Sequence, residues 1–173
     1  MISKVMLFLQ NISAEKGIIC LHLNYCNIME TIVNEFVEEF NCTHVFSGGA
    51  CGFIPTTDYH PEIGSRISIT KSMSYNGEII EIAPNNNLHL QIPSIFLETY
   101  EWFETVKKIP TSCLTIDVET FYILRALQKY QNIIIDCGCF VSDYVGEQPL
   151  IEYSRVFVNY ESSLSKFLDN IIN

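Results

Sequence analysis

The spacing of apolar residues along this chain predicts a mixture of β-strands and α-helices. Short runs that are apolar or that alternate with polar residues are typical of strands, whereas apolar residues at every third or fourth position are typical of helices. The first pattern occurs at residues 5–9, 17–23, 43–46, 66–70, 78–82, 88–92, 114–116 and 132–136. The second predicts helices at residues 28–40, 117–130 and within 151–172. No internal repeat or low-complexity linker interrupts this order, so residues 1–173 are expected to form a single domain.

Two turns are indicated by residues that tolerate unusual backbone angles. Asn76-Gly77 separates two strand patterns, and this pair favours the tight turn of a β-hairpin. Ser47, Gly48 and Gly49 come directly after a predicted strand and begin a glycine-rich stretch that is expected to turn sharply. Such a turn can present backbone amides to an anion or a polar ligand, and it equally fits a tight connection.

Two acidic residues follow predicted strands at places where ligand sites occur. Asp117 is a suitable N-cap, which places Glu119 in the first helical turn, where the helix dipole favours the ionised carboxylate. Ser142 and Asp143 stand just past the apolar run at residues 133–135. Because open α/β sheets bind ligands beyond the carboxyl ends of their strands, the two carboxylates are candidates to hold a polar ligand and to supply a proton. A glutamate at a helix start also fits a purely stabilising role.

Composition and charge exclude several classes of protein. Hydrophobic residues make up 48% of the chain and charged residues 17%, which indicates a compact globule rather than a disordered chain. The formal net charge of −10 is expected to repel nucleic-acid phosphates and anionic membranes, so neither is an expected partner. No apolar run is long enough to span a membrane. The protein is expected in the cytoplasm, where its seven cysteines would stay reduced.

Neither the cysteines nor the histidines have the spacing of a metal site. Cys137-Gly138-Cys139 contains the one close pair of cysteines, and no second pair at zinc-site spacing accompanies it. The four histidines fall singly in predicted strands or loops and are interpreted as structural or exposed: His22, His44, His60 and His89. The sequence therefore predicts no metal and no cofactor.

Taken together, three stretches resemble the nucleoside phosphorylase and nucleosidase superfamily, particularly its methylthioadenosine/S-adenosylhomocysteine nucleosidase branch. Residues 44–52 look like the family's strand and glycine turn, and residues 62–67 resemble the strand that follows. Residues 116–120, Ile-Asp-Val-Glu-Thr, are similar to its ribose-binding motif, and residues 141–143, Val-Ser-Asp, are similar to the motif that holds its general acid. The resemblance covers roughly residues 17 to 170 and implies an α/β fold, a three-layer sandwich around a mixed, twisted central sheet.

The resemblance also implies roles for individual residues in hydrolysis of the N-glycosidic bond of a purine nucleoside or related metabolite. Glu119 would accept hydrogen bonds from the two ribose hydroxyls, and Val118 would pack beneath the sugar. Asp143, held protonated and oriented by Ser142, would donate to the imidazole-ring nitrogen of the departing base. The glycine-rich stretch from Ser47 to Gly52 would lie against the base or the sugar, with Ser47, Gly48 and Gly49 as the candidate binding residues.

The chain also departs from the family pattern, which leaves a second hypothesis open. The family's N-terminal portion, with its phosphate loop and the glutamate that activates water, is not matched, and Cys139 stands where family nucleosidases place an arginine. None of the three arginines, Arg66, Arg125 and Arg155, lies in a family phosphate motif, so hydrolysis is favoured over phosphorolysis. The departures also support the alternative, a non-catalytic nucleoside-binding or interaction protein that kept the fold. A third hypothesis is an unrelated α/β domain. Family habit and exposed sheet edges suggest a homodimer.

Overall fold

The computed structural model describes residues 28–55, 59–83, 88–91 and 113–145, together with six positions between residues 159 and 169 that are helical. The described elements are α1 (Met29–Glu39), β1 (His44–Phe53), β2 (Arg66–Ser68), β3 (Lys71–Met73), β4 (Ile79–Glu81), β5 (Leu88–Gln91), β6 (Cys113–Asp117), α2 (Thr120–Leu127) and β7 (Ile134–Tyr144).

The seven described strands form one mixed sheet in the order β2-β7-β1-β6-β5-β3-β4. β1 is parallel to β7, and β5 is parallel to both β3 and β6. The two halves of the sheet are joined by the antiparallel pair of β1 and β6, and each edge strand is antiparallel to its neighbour. This mixed sheet with flanking helices confirms the predicted α/β fold class.

Helix α2 forms because its apolar residues recur on one side. Phe121, Leu124 and Leu127 are at most 1% exposed and lie three residues apart, which is the spacing of a buried helix face. This helix contacts β7 in one half of the strand order and β3, β4 and β5 in the other half, and α1 packs against it. Arg125 of α2 donates from Nε to Glu30 of α1 at 2.7 Å, which ties the two helices together.

The sheet divides the core into two clusters, one on each face. The larger cluster lies on the face that α2 covers, and its fully buried members include Cys51, Phe53, Phe121, Leu124, Cys139 and Val141. The smaller cluster contains Leu88, Leu90, Cys113 and Ile116, with Ile54, Met73, Val118 and Val145 packed against it. Val145 of the smaller cluster and the candidate acid Asp143 both lie beside Gly52.

The glycine-rich turn predicted after residue 46 does not form. β1 continues from His44 to Phe53 straight through these glycines, because every residue from His44 to Cys51 has a partner in the parallel strand β7. Gly48 lies opposite Gly138 in this pairing. The conformational freedom of glycine did not produce a turn, since the ladder of hydrogen bonds with a distant strand stabilises the extended backbone.

Other predicted boundaries also differ from the structure. The strand predicted at 66–70 ends at Ser68, and the unpredicted β3 begins at Lys71 and pairs with different strands. β7 continues to Tyr144, so Ser142 and Asp143 lie within a strand rather than beyond one. The helix predicted at 28–40 begins at Met29 and ends at Glu39, and the helix predicted to reach residue 130 ends at Leu127.

The hairpin predicted at Asn76-Gly77 is confirmed. β3 and β4 pair antiparallel around it, and Gly77 has the positive φ of 88° that the turn requires. The strands predicted at 5–9 and 17–23 lie outside the described residues, as does the aromatic segment between the prolines at 93 and 110. Within the part of the chain that the structure describes, no helix is both long and apolar enough to cross a membrane.

Candidate functional site

Gly52 of β1 lies between two strands that carry candidate site residues. It pairs with Ile116 of β6 on one side and with Asp143 of β7 on the other. Because neighbouring strands lie about 4.8 Å apart, Ile116 and Asp143 are about 10 Å apart across the sheet. A Cβ atom added at Gly52 would lie 3.6 Å from Asp143 Oδ2, 3.2 Å from Ile116 Cγ1 and 3.1 Å from Val145 Cγ2. The Asp143 carboxyl therefore shares one face of the sheet with Ile116 and Val145.

A β-bulge at Ser142 turns Asp143 toward this face. Cys51 pairs with Val141, yet the next residue, Gly52, pairs with Asp143, so Ser142 is an extra residue in β7. Side chains alternate between the two faces of a regular strand, so without the bulge Asp143 would share the face of Val141, which is fully buried beneath α2. The bulge thus places the carboxyl on the face opposite to α2, where it is only partly buried.

Ser142 holds the carboxyl of Asp143 in place. Ser142 Oγ donates to Asp143 Oδ1 at 2.5 Å and also lies 3.1 Å from the carbonyl oxygen of Cys51. The serine is 5% exposed, so its hydroxyl is fixed by these two acceptors rather than by solvent. Asp143 Oδ2 is the oxygen on the Gly52 side. This arrangement leaves Oδ2 available to exchange a proton with a ligand.

Val118 contributes apolar surface on the same face. It is half-buried and packs against the smaller core cluster that contains Ile116, and Val145 packs against that cluster as well. Asp143 therefore lies beside a group of aliphatic side chains. A partly buried carboxyl next to an apolar surface suits a ligand that combines a flat or ring-shaped apolar part with a proton-accepting atom.

Glu119 stands at the start of α2, immediately after Val118. Helical residues begin at Thr120, so Glu119 is the N-cap residue rather than a member of the first turn. Burial, reinforced by the negative charge of Asp117, raises the pKa of the Glu119 carboxyl from its ordinary value of 4.5 to about 8, against the opposing effect of backbone hydrogen bonds. The expectation that the helix dipole favours its ionised form is therefore wrong for the protein without a ligand.

A buried histidine that the sequence interpretation did not assign to a site stands behind Glu119. His89 is 1% exposed; its Nδ1 lies 2.9 Å from Thr115 Oγ1 and its Nε2 2.9 Å from Asp117 Oδ1. Asp117, predicted as the N-cap, accepts from the backbone N–H of Glu119 at 3.1 Å and of Thr120 at 3.0 Å. Its other oxygen accepts from the Thr120 hydroxyl.

The charge of Asp117 is held in place by these contacts. Burial alone would raise the pKa of Asp117, but the attraction of His89 and hydrogen bonds from His89 and Thr120 outweigh it, so the pKa lies below its usual value. Asp117 is thus a buried carboxylate whose negative charge opposes ionisation of Glu119. The sequence signal for this pair was a histidine in a strand pattern, which by itself does not reveal a partner.

The three remaining predicted site residues lie in β1, three to five residues before Gly52. Ser47 and Gly48 pair with Cys137 and Gly138 of β7. The carbonyl of Ser47 accepts from Arg66 Nη2 at 3.4 Å. At about 3.3 Å per residue, Gly49 lies about 10 Å and Ser47 about 17 Å from Gly52. Gly49 is exposed. The structure therefore does not bring Ser47 and Gly48 to Asp143, and Gly52 is the glycine that lies beside it.

The two candidate carboxylates do not lie at one common edge of parallel strands, as the strand pattern suggested. β6 is antiparallel to β1, whereas β7 is parallel to it, so the carboxyl ends of β6 and β7 point in opposite directions. β6 ends at Asp117, one residue past the level of Gly52 on its Gly49 side, so Glu119 follows the end of that strand. Glu119 and Asp143 therefore flank β1 from its two sides.

The buried cysteines offer neither a metal site nor reactive thiolates in this region. The Sγ atoms of Cys51 and Cys139 are 2.6 Å apart in the core. Burial raises the pKa of both thiols, and it raises the pKa of Cys137 to about 12, so these groups stay protonated. Among the described residues, no group of three or more His, Cys, Asp or Glu side chains is placed to hold a metal ion.

The similarity of this chain to known proteins lies in its fold. No protein-family model and no curated protein matches the sequence. The chain is similar to the solved structure of Arabidopsis thaliana 5′-methylthioadenosine nucleosidase in its apo form, with a TM-score of 0.63 and 10% sequence identity. The match covers 88% of this chain and 72% of the plant chain. At this low identity it shows a distantly nucleosidase-like fold.

Proposed function

We propose that this protein hydrolyses the N-glycosidic bond of a purine nucleoside or a related metabolite. The observation that carries the proposal is the bulge at Ser142, which takes Asp143 out of the α2-covered core and fixes it beside Gly52, Ile116 and Val145. A carboxyl held by one oxygen, with the other beside a glycine and aliphatic side chains, is what a general acid for a flat heterocyclic leaving group needs. The nucleosidase-like fold supports this choice of reaction.

In the proposed reaction, the bond between the sugar C1′ and the base nitrogen breaks and its electron pair moves to the base. Asp143 delivers a proton from Oδ2 to a ring nitrogen of the base, while Ser142 keeps the other carboxyl oxygen in place. A water molecule forms the new bond to C1′, and the proton that it loses restores Asp143. Proton transfer to the leaving base lowers the barrier because negative charge otherwise accumulates there.

Glu119 is proposed to bind the ribose hydroxyls, and Val118 to pack beneath the sugar. In the free protein, burial and the charge of Asp117 keep Glu119 largely protonated at neutral pH. Two hydroxyl donors would stabilise the ionised carboxylate, because hydrogen bonds to a charged acceptor are stronger than bonds to a neutral one. Binding of a ribose diol would then release a proton from Glu119.

Water is proposed as the acceptor of the sugar, rather than phosphate. Arg66 donates to Asp136 at 2.8 Å and Arg125 forms an ion pair with Glu30 at 2.6 Å, so both described arginines are engaged within the protein.

The proposal is tested by chromatographic analysis of products after prolonged incubation with purine and pyrimidine nucleosides, including methylthioadenosine and S-adenosylhomocysteine. Free base is expected from the wild-type protein whether or not phosphate is present. Asp143→Asn keeps the shape of the carboxyl and is expected to release base at least about a hundredfold more slowly. The proposal is contradicted if the variant releases base at the wild-type rate. It is also contradicted if the wild-type protein releases base from none of the nucleosides.

A second candidate is a protein that binds nucleosides without turnover. It is favoured by Cys139, which stands where the resemblance implies an arginine and which is 0% exposed beneath α2. A cysteine there provides no positive charge to position water. The two candidates separate in one experiment: a pure binding protein would melt at a higher temperature with nucleoside present and yet form no free base.

A further inference from the structure

A continuous hydrogen-bonded chain of buried side chains ends at the backbone of Glu119. It begins at the hydroxyl of Thr115, passes through both ring nitrogens of His89, and reaches Asp117, whose Oδ1 accepts from the Glu119 N–H. Thr115 is 2% exposed, His89 1% and Asp117 6%. Buried polar groups that lack partners are costly, and here each side chain has one.

A second β-bulge brings this chain into register. Leu88 pairs with Cys113 and the next residue, His89, pairs with Thr115, so Leu114 is an extra residue in β6. Without the bulge, His89 would lie opposite Leu114, whose side chain cannot hydrogen-bond. The irregularity therefore places an imidazole opposite a hydroxyl and within reach of Asp117, two residues farther along β6.

The direction of the hydrogen bonds follows from the chemistry of the partners. Asp117 keeps an ionised carboxylate, which accepts hydrogen bonds and cannot donate them, so His89 Nε2 donates to it. Asp117 Oδ1 therefore receives three donors: the imidazole, the N–H of Glu119 and the N–H of Thr120. The imidazole approaches from β5, whereas the two amides belong to the start of α2. His89 thus ties the helix start to the neighbouring strand.

We propose that His89 is a positioning residue that acts through Asp117 to set the place of Glu119, and that it thereby determines how strongly the protein selects ligands with ribose hydroxyls. The inference rests on the proposed role of Glu119. His89 touches no ligand in this account. Its effect comes from holding the Asp117 carboxylate, which in turn holds the backbone amide of Glu119.

Two replacements separate the donated hydrogen bond from the space that the ring fills. His89→Phe keeps a ring of similar size and removes both nitrogen atoms. His89→Gln offers an amide N–H near the position of Nε2, so it can restore the donor to Asp117. Both are made in the Asp143→Asn background, which is expected to slow turnover enough for binding to be measured. Binding of adenosine and of 2′,3′-dideoxyadenosine, which lacks both hydroxyls, is then measured by calorimetry.

The parent protein is expected to prefer adenosine, and His89→Phe is expected to lose about tenfold of that preference, the typical effect of removing a hydrogen bond to a charged group. His89→Gln is expected to retain most of it. A purely structural role would lower the melting temperature of both variants and leave the preference unchanged. Retained preference in a folded His89→Phe protein, or equal loss in both variants, overturns the inference.

Failure of the proposed function has a different signature. If the parent protein binds both nucleosides equally, or binds neither, Glu119 does not bind the ribose hydroxyls. The proposed role of Glu119 and the inference that rests on it are then both wrong. Should His89→Phe not fold, His89→Leu, which also removes both ring nitrogens, replaces it with the same expected loss. Amide hydrogen exchange gives an independent readout: Glu119 and Thr120 are expected to exchange faster in the variant, while α1 amides do not change.

Discussion

At Glu119, the same burial that encloses the candidate ribose contact also opposes its charge. The carboxyl has an ordinary pKa of 4.5 and a pKa of about 8 in the folded protein. Between these values the unfolded chain has released its proton and the folded protein has not. The folded state therefore binds more protons, and its stability must fall as the pH rises through this window.

Glu119→Gln should remove this pH dependence, because an amide does not ionise. We expect the stability of the wild-type protein relative to this variant to fall by about 1–2 kcal/mol from about pH 5 to about pH 8, after allowing for partial solvent screening. Urea unfolding at several pH values measures it. Glu35→Gln, on the exposed face of α1, is the control. A constant difference between wild type and Glu119→Gln would show that Glu119 ionises normally.

Single residues also mark the limit of interpretation from sequence. Asp117 was predicted to cap the following helix, and its carboxylate does accept from the amides of Glu119 and Thr120. The spacing of these residues is local, so the sequence reveals it. His89 lies 28 residues from Asp117 along the chain, and nothing in its surroundings in the sequence indicates a carboxylate partner. The contact exists only because β5 and β6 pair.

At the scale of elements, the local hairpin was predictable and the long strands were not. Asn76-Gly77 specifies its turn through backbone angles that few other residues adopt. The glycines of β1 also suggested a turn, but the outcome was decided by β7, which begins about ninety residues later in the sequence. The two bulges, at Ser142 and Leu114, depend on pairing between distant strands. Because these bulges orient Asp143 and His89, the arrangement of the site could not be predicted from the sequence.

Two glycines of the β1–β7 ladder should respond differently to alanine. A Cβ at Gly138 would lie 2.8 Å from both Arg66 Cζ and the backbone oxygen of Ile67, which is too close to be accommodated without movement of β2. A Cβ at Gly49 meets nothing within 4 Å. We expect Gly138→Ala to lower the free energy of unfolding by about 1–3 kcal/mol.

Gly49→Ala is the matched control. It should be neutral or stabilising by about 0.5 kcal/mol, because alanine loses less backbone entropy on folding than glycine does. Thermal and urea unfolding of both variants provide the comparison. Equal stability of the two variants would contradict the close packing of β2 over Gly138.

For the whole molecule, the spacing of apolar residues predicted a mixture of strands and helices, but not the directions of the strands. The net charge of −10 argues against binding to nucleic acids, whose phosphates attract basic surfaces. Fluorescence anisotropy with labelled single-stranded DNA and RNA at low salt is expected to show no binding at micromolar protein. Binding that weakens steeply as salt is added would reveal a basic surface that the total charge conceals, and would contradict this expectation.

The measurement that tests the central claim most directly is a crystal structure of Asp143→Asn with methylthioadenosine bound. The account predicts that the base lies over Gly52, with a ring nitrogen beside the side-chain amide that Asp143→Asn introduces. It also predicts that the ribose hydroxyls contact Glu119. Either candidate function uses this site, and the product analysis then separates them. A nucleoside bound elsewhere, or an empty Gly52 face at saturating ligand, would contradict the assignment of the site.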